Sequence, residues 1–199
     1  MQPEKLYHIY NHANGIENLF REVENYRYFL RQWEKHIQSI ADSLAYCLMP
    51  NHFHFLIKVK DQSELEATFG KFETFQKLEY HLSKQFANFF SSYTQSYNKK
   101  YQRKGGLFAA NFRKKEITSS AYISTVVAYI HTNPVLHGFT KNLEEWPFCS
   151  YNAYLSNKVT LLNVDYILEW FGSKEEFIKF HKAYLEQANY LDESEEYVL

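Results

Sequence analysis

No stretch of this sequence is both apolar enough and long enough to cross a bilayer, and Met1 to Tyr10 lacks the apolar core of a secretory signal. A membrane partner is therefore not expected. Cysteine is scarce: Cys47 and Cys149 are the only two, and neither has the spacing of a metal knuckle or a redox motif. This excludes a disulfide framework and points to a reducing, cytoplasmic setting. Internal repeats, low-complexity tracts and clear linkers are lacking too. Acidic residues are missing altogether between Lys84 and Lys115, although the whole chain of 199 residues carries a formal charge of only −1.

That gap holds Lys84, Lys99, Lys100, Arg103, Lys104, Arg113, Lys114 and Lys115, interleaved with Tyr93, Tyr97, Tyr101 and Phe108. Cations neutralise phosphates and rings stack on bases, so the block reads as a nucleic-acid surface. A solvated helix end followed by a loop is the plainer reading. The stretch from Asp165 to Leu199 is acidic instead. Aromatics are abundant, with 17 Tyr and 17 Phe, and most fall at spacings that place them in a core.

Alternation of apolar and polar residues predicts a strand over Lys5 to His12, and Asn14-Gly15 marks a turn. Tyr26, Phe29, Leu30, Trp33, Ile37 and Ile40 recur at helical spacing, predicting a helix from Glu22 to Ile40 that Asp42-Ser43 breaks. Strands over Leu44 to Met49 and His52 to Val59 flank Pro50-Asn51 and should form a hairpin. A long helix is expected over Phe72 to Asn98 and a short strand over Asn111 to Ile117. A further helix, capped by Ser119 or Ser120, should end near Asn133 because Pro134 disfavours helical geometry there. The order matches the split βαβ plan, giving an α+β, ferredoxin-like βαββαβ antiparallel sheet with helices on one face. Three helical segments, Ser150 to Ser156, Val164 to Phe171 and Lys174 to Asn189, make up a C-terminal part.

Asn51-His52-Phe53-His54-Phe55 stands out. On a strand, His52 and His54 share one face and Phe53 and Phe55 the other. The phenyl rings then fill a core while two outward imidazoles form a ready pair of metal ligands. A half-exposed pair without metal is the bland alternative. The metallo-β-lactamase arrangement fails, because Leu56 and Ile57 occupy the positions where it needs Asp and His.

Five blocks occur in order: Tyr7-His8-Ile9-Tyr10-Asn11; Tyr46 to His54; Gly106-Leu107-Phe108 with Phe112-Arg113; Tyr129-Ile130-His131-Thr132-Asn133-Pro134-Val135-Leu136-His137-Gly138; and Trp146 to Tyr151. Together, over about Leu6 to Tyr154, they resemble the HUH-type single-tyrosine transposases, and more narrowly the REP-associated tyrosine transposases. The resemblance departs at His12-Ala13, where relatives often carry Arg-Gly. It implies a transposase domain over 1–155 and a helical extension over 156–199. It also implies a bacterial, nucleoid-associated enzyme that cleaves and rejoins single-stranded or hairpin DNA through a 5′-phosphotyrosine, with Mg²⁺ or Mn²⁺.

Carried over by position, the metal ligands are His52, His54 and Asn133, and the nucleophile is Tyr129. Residues four apart share a helix face, so Tyr129 and Asn133 can both face the histidines. By spacing alone Tyr129 reads as a core residue beside Val126, Val127 and Ile130, and Tyr97, Tyr101 and Tyr122 are rival nucleophiles. DNA contacts are expected from Lys99, Lys100, Arg103, Lys104, Arg113, Lys114 and Lys115. A homodimer sharing active sites is the leaning for assembly. A domesticated hairpin binder with little cleavage is the alternative function.

Overall fold

The computed structural model describes residues 1–109, 111–156 and 158–190. Of the expected C-terminal extension, Asn157 and residues 191–199, with the end of the acidic stretch, lie outside the described residues.

Four strands, β1 (Leu6–His12), β2 (Ala41–Met49), β3 (His52–Val59) and β4 (Arg113–Ile117), form one antiparallel sheet in the order β2-β3-β1-β4. This is the order expected of a ferredoxin-like α+β fold. Helix α1 (Val23–Ile37) connects β1 to β2, while α2 (Gln62–Phe69) and α3 (Phe75–Lys100) connect β3 to β4. Strand parity sorts the side chains. Tyr7, Ile9, Phe53, Phe55 and Leu48 face one way and meet Phe29, Trp33, Phe86, Phe89 and Tyr93 from α1 and α3. Rings carry much of this contact: Trp33 stacks on Phe55 with centroids 3.6 Å apart, and Tyr93 donates its hydroxyl to the Leu19 carbonyl.

The two crossover helices thus lie on one face, as expected. The opposite face is not open. Helix α4 (Ser120–Leu136) covers it, packing Ile123, Val126, Val127 and Ile130 onto Cys47, Met49, Leu56 and Ile117. Helices α5 (Tyr151–Leu155), α6 (Val164–Phe171) and α7 (Lys174–Tyr190) close the same core from outside with Tyr151, Tyr154, Ile167 and Phe177. Residues on both sides of position 155 therefore share one core. With neighbours on two sides, α4 is apolar nearly all round, and its sequence has no polar stripe.

The elements depart from expectation chiefly at three places. The first helix stops at Ile37, and Asp42-Ser43 is strand rather than helix breaker: Trp33 Nε1 donates to Ser43 Oγ at 2.9 Å, and a register shift between Ser43 and Ala45 absorbs the irregularity. Helix α2 was not expected; Asp61 caps it by accepting from the Glu64 amide at 2.8 Å. Helix α4 runs past Pro134 to Leu136, because proline removes only its own N–H and the His137 amide still closes the turn on the Asn133 carbonyl at 3.0 Å.

The outer edge of β2 is taken up by the chain's own return. Leu48 N donates to Phe148 O, Ser150 N to Tyr46 O and Asn163 N to Ser43 O, at 2.9, 2.9 and 3.0 Å. This pairing sets Cys47 directly opposite Cys149, both free and buried, a neighbourhood that their separation in sequence conceals.

Candidate active site

Strands β1 and β3 bring His8, Tyr10, His52 and His54 to the face that α4 covers. Tyr10 lies opposite His54 in the register, and His12 opposite His52. His52 and His54 share this face, and Phe53 and Phe55 point into the other core, as the alternation requires. The imidazoles do not face solvent, however. Under the roof of α4, His54 is buried and His52 half-buried.

The roof itself supplies Tyr129 and Asn133, one turn apart on the side that meets the sheet. The Tyr129 ring stands edge-on to His54 with centroids 5.3 Å apart, and to His8 at 6.1 Å. Asn133, fully buried, sets its Oδ1 2.9 Å from His52 Nε2 and lies one turn from Tyr129. Four residues singled out from the sequence, His52, His54, Tyr129 and Asn133, thus converge within a single chain. The rivals do not. Tyr97 is buried in the opposite core with its hydroxyl on the Asn18 carbonyl, and Tyr101 bonds Asn25. Tyr122 sits at the start of α4 beside Lys115.

Electrostatics favours neutral imidazoles. Burial pushes His52 down to about 4, and burial aided by neighbouring histidines holds His54 well below its ordinary value. Both therefore offer lone pairs at neutral pH. Burial raises the Tyr129 hydroxyl above its ordinary value of 10.0, partly offset by the neighbouring Asn133 side chain. Tyr129 therefore rests as a phenol, and any attack by its oxygen would have to release a proton.

The donors fit a divalent cation of open coordination. His52 Nδ1 is 2.8 Å from Asn51 Oδ1, and His54 Nδ1 is 3.0 Å from His8 Nε2. His52 Nε2 faces Asn133 Oδ1 as well, and a neutral ring donates to only one of the two amide oxygens, so Nε2 is the nitrogen that each ring could offer a cation. Two imidazoles and an amide oxygen make a neutral, incomplete set, leaving positions for water or phosphate oxygens. Among the described residues no three His, Cys, Asp or Glu side chains form a ready cage.

The seven basic residues separate into two groups flanking the site. The loop after α3 lies against the end of β1: Ala109 N donates to His12 O and Asn14 N to Leu107 O, at 2.9 and 2.8 Å. Within this group Arg103 is a strut, clamped to Glu17 at 2.6 Å and to Asn98 Oδ1 at 2.8 Å, and Lys100 pairs with Glu22. Lys99 and Lys104 are exposed. On β4, Arg113 lies opposite Tyr10 and Lys115 opposite His8, so both share the histidine face, whereas Lys114 faces away and reaches Glu79 at 3.9 Å.

One site neighbour, His8, escaped the sequence. His8 contacts both His54 and Tyr129, although its place on β1 at the same parity as Tyr10 is legible. His131, in the same block as Tyr129, turns away from the site. It bonds His181 Nε2 through Nδ1 at 2.9 Å and Ser150 Oγ through Nε2 at 2.7 Å, tying α4 to α7. His137 is exposed, with its ring 5.4 Å from that of His52.

No family model matches the chain. A Haemophilus influenzae protein described as a REP-associated tyrosine transposase is 24% identical over 140 residues, spanning 69% of this chain and 71% of its own length. A solved structure of a REP-associated tyrosine transposase bound to a REP hairpin superposes with a TM-score of 0.53 at 15% identity, covering 78% of this chain and 81% of that one. The resemblance read from the five blocks is thus met by likeness in sequence and by a shared α+β fold.

Proposed function

Starting from a sequence and fold like those of the REP-associated tyrosine transposases, we propose that this chain cleaves and rejoins single-stranded or hairpin DNA through a covalent 5′-phosphotyrosine on Tyr129. The observation that carries this reading is the meeting of Tyr129 and Asn133 on α4 with His52 and His54 on β3. A divalent cation, Mg²⁺ or Mn²⁺, held by His52 Nε2, His54 Nε2 and Asn133 Oδ1, would withdraw charge from the scissile phosphate; Mn²⁺ is the better match to imidazole.

The chain's own residues do the rest. Tyr129 Oη attacks phosphorus, giving up its proton, and the bond to the 3′ oxygen breaks. The released 3′ oxygen takes up a proton and leaves as a hydroxyl. The phosphodiester is kept as a phosphotyrosine ester, so attack by a 3′-hydroxyl restores a DNA bond and frees the phenol. Asn133 orients the Tyr129 hydroxyl, and α4 shields the reacting atoms from water that would hydrolyse the link. Arg113 and Lys115, on the face of the histidines, and Lys99 and Lys104 on the adjoining loop would carry the phosphates on either side.

Incubation with Mn²⁺ and a labelled hairpin should give a protein–DNA species that survives denaturing electrophoresis in wild type and disappears in Tyr129→Phe. Cleavage without any such species would rule the mechanism out. Changing Arg113 and Lys115 together to Gln should lower the slope of log affinity against log salt by roughly two units. An unchanged slope would place the DNA path elsewhere.

A further inference from the structure

His8 has no part in the mechanism above, yet it is buried and closely surrounded beside it. It is buried in the sheet face beneath α4, stacked on Tyr10 with centroids 4.8 Å apart and on His54 at 5.1 Å, with its edge towards Tyr129. Its Nε2 lies 3.0 Å from His54 Nδ1. Its Nδ1 is buried with no hydrogen-bond partner among the described residues. Leu56 lies opposite on β3 and Lys115 opposite on β4. A phenylalanine or leucine would fill this place without an orphaned Nδ1 but would leave His54 Nδ1 unpartnered, so the cost the histidine carries is tied to what its Nε2 does for His54.

One proton is shared between His8 Nε2 and His54 Nδ1. If His8 donates it, His54 holds its own proton on Nε2 and has no lone pair there. If His54 donates it, Nε2 is bare. We infer that His8 is a positioning residue that accepts the Nδ1 proton of His54, selecting the tautomer and ring orientation in which His54 Nε2 is a ligand. This rests on the reading of His54 as a metal ligand. The tautomer that arms His54 leaves the His8 proton on Nδ1, the nitrogen with no partner. A neutral imidazole here takes the place that a carboxylate or backbone carbonyl usually fills behind a ligating histidine.

The test measures Mn²⁺ binding to the full chain without DNA. His8→Phe keeps the ring and removes the acceptor; affinity should fall roughly 10- to 100-fold, the range for loss of an outer partner. His8→Gln, whose Oε1 reaches the place of the imidazole Nε2, should recover to within a few-fold of wild type. Wild-type affinity in His8→Phe, beside its loss in His54→Ala, overturns the role of His8 and leaves the metal reading standing. Wild-type affinity in His54→Ala overturns both. Should His8→Phe fail to fold, histidine ¹⁵N resonances of the Mg²⁺-loaded wild type decide the matter. A proton on His54 Nδ1 supports the inference, and one on Nε2 overturns it.

Discussion

Tyr129 rests as a phenol because burial opposes its ionisation, while the histidines beside it rest as free bases for the same reason. His8 and His52 are both pushed down to about 4, and His54 is held low as well. These shifts predict the pH dependence of cleavage. Tyrosine ionisation becomes easier as pH rises, and none of His8, His52 and His54 changes charge near 6.5. The single-turnover rate at saturating metal should therefore climb steadily from pH 6 to 9. A distinct shoulder near pH 6.5 would show that a site histidine titrates normally and would contradict the buried, neutral pair. Strand alternation made His52 and His54 legible, whereas Tyr129 and Asn133 were legible only through the ordered blocks, because helical spacing alone reads Tyr129 as a core residue. The sequence could not show that α4 roofs the histidines, since the strand pattern of one buried face says nothing of what lies over the other. Nor could it separate Arg103 from its basic neighbours, because its clamp to Glu17 is a contact between distant loops.

Among the elements, α4 carries two loads. One end of its Tyr-Ile-His-Thr-Asn-Pro block faces the sheet histidines, and His131, facing the other way, locks the helix to α7 and to Ser150 beside the β2 edge. The chain of bonds is complete with neutral rings: Ser150 Oγ–H to His131 Nε2, His131 Nδ1–H to His181 Nε2, and His181 Nδ1–H to the Phe177 carbonyl at 2.7 Å. Replacing His131 with Ala should destabilise the protein by roughly 3 kcal/mol in urea unfolding, from a cavity and stranded partners. A loss below about 1 kcal/mol would mean the network is dispensable. Burial also lowers His181 to about 4. The unfolded chain binds a proton near 6.5 that the folded chain refuses until about 4, so stability is full above pH 6.5 and falls as pH drops towards 4. The loss is on the order of 3 kcal/mol for His181 alone. Stability that is flat across this window would contradict it. Helix α4 was misjudged at its end for a physical reason: a proline near a helix C-terminus costs little when the next amide still finds its carbonyl. Helix α2 was missed because its eight residues bury only Leu65 and leave almost no apolar period to read.

For the whole molecule, the fold places the candidate nucleophile and candidate ligands in one chain, and the chain's own return covers the β2 edge. Because Tyr129 stands beside His54 within the chain, we propose action in cis; the shared-site dimer expected from the sequence makes the opposite prediction. Mixing Tyr129→Phe with His54→Ala should restore no cleavage, whereas recovery would demonstrate sites shared between subunits. The order of strands and helices was legible because each segment is strongly periodic. The joining of the C-terminal helices to the α4 core was not, since it depends on contacts such as Cys47 with Cys149 that no local pattern records. The central claim is that Tyr129 Oη takes the DNA 5′-phosphate, and mass spectrometry of the trapped species tests it most directly. After nuclease trimming and tryptic digestion, the nucleotide mass should ride on the peptide from Glu116 to Lys141, and fragmentation should place it on Tyr129. The same mass on Tyr122, on any other residue, or on no peptide from a chain that has cleaved its substrate would contradict the account.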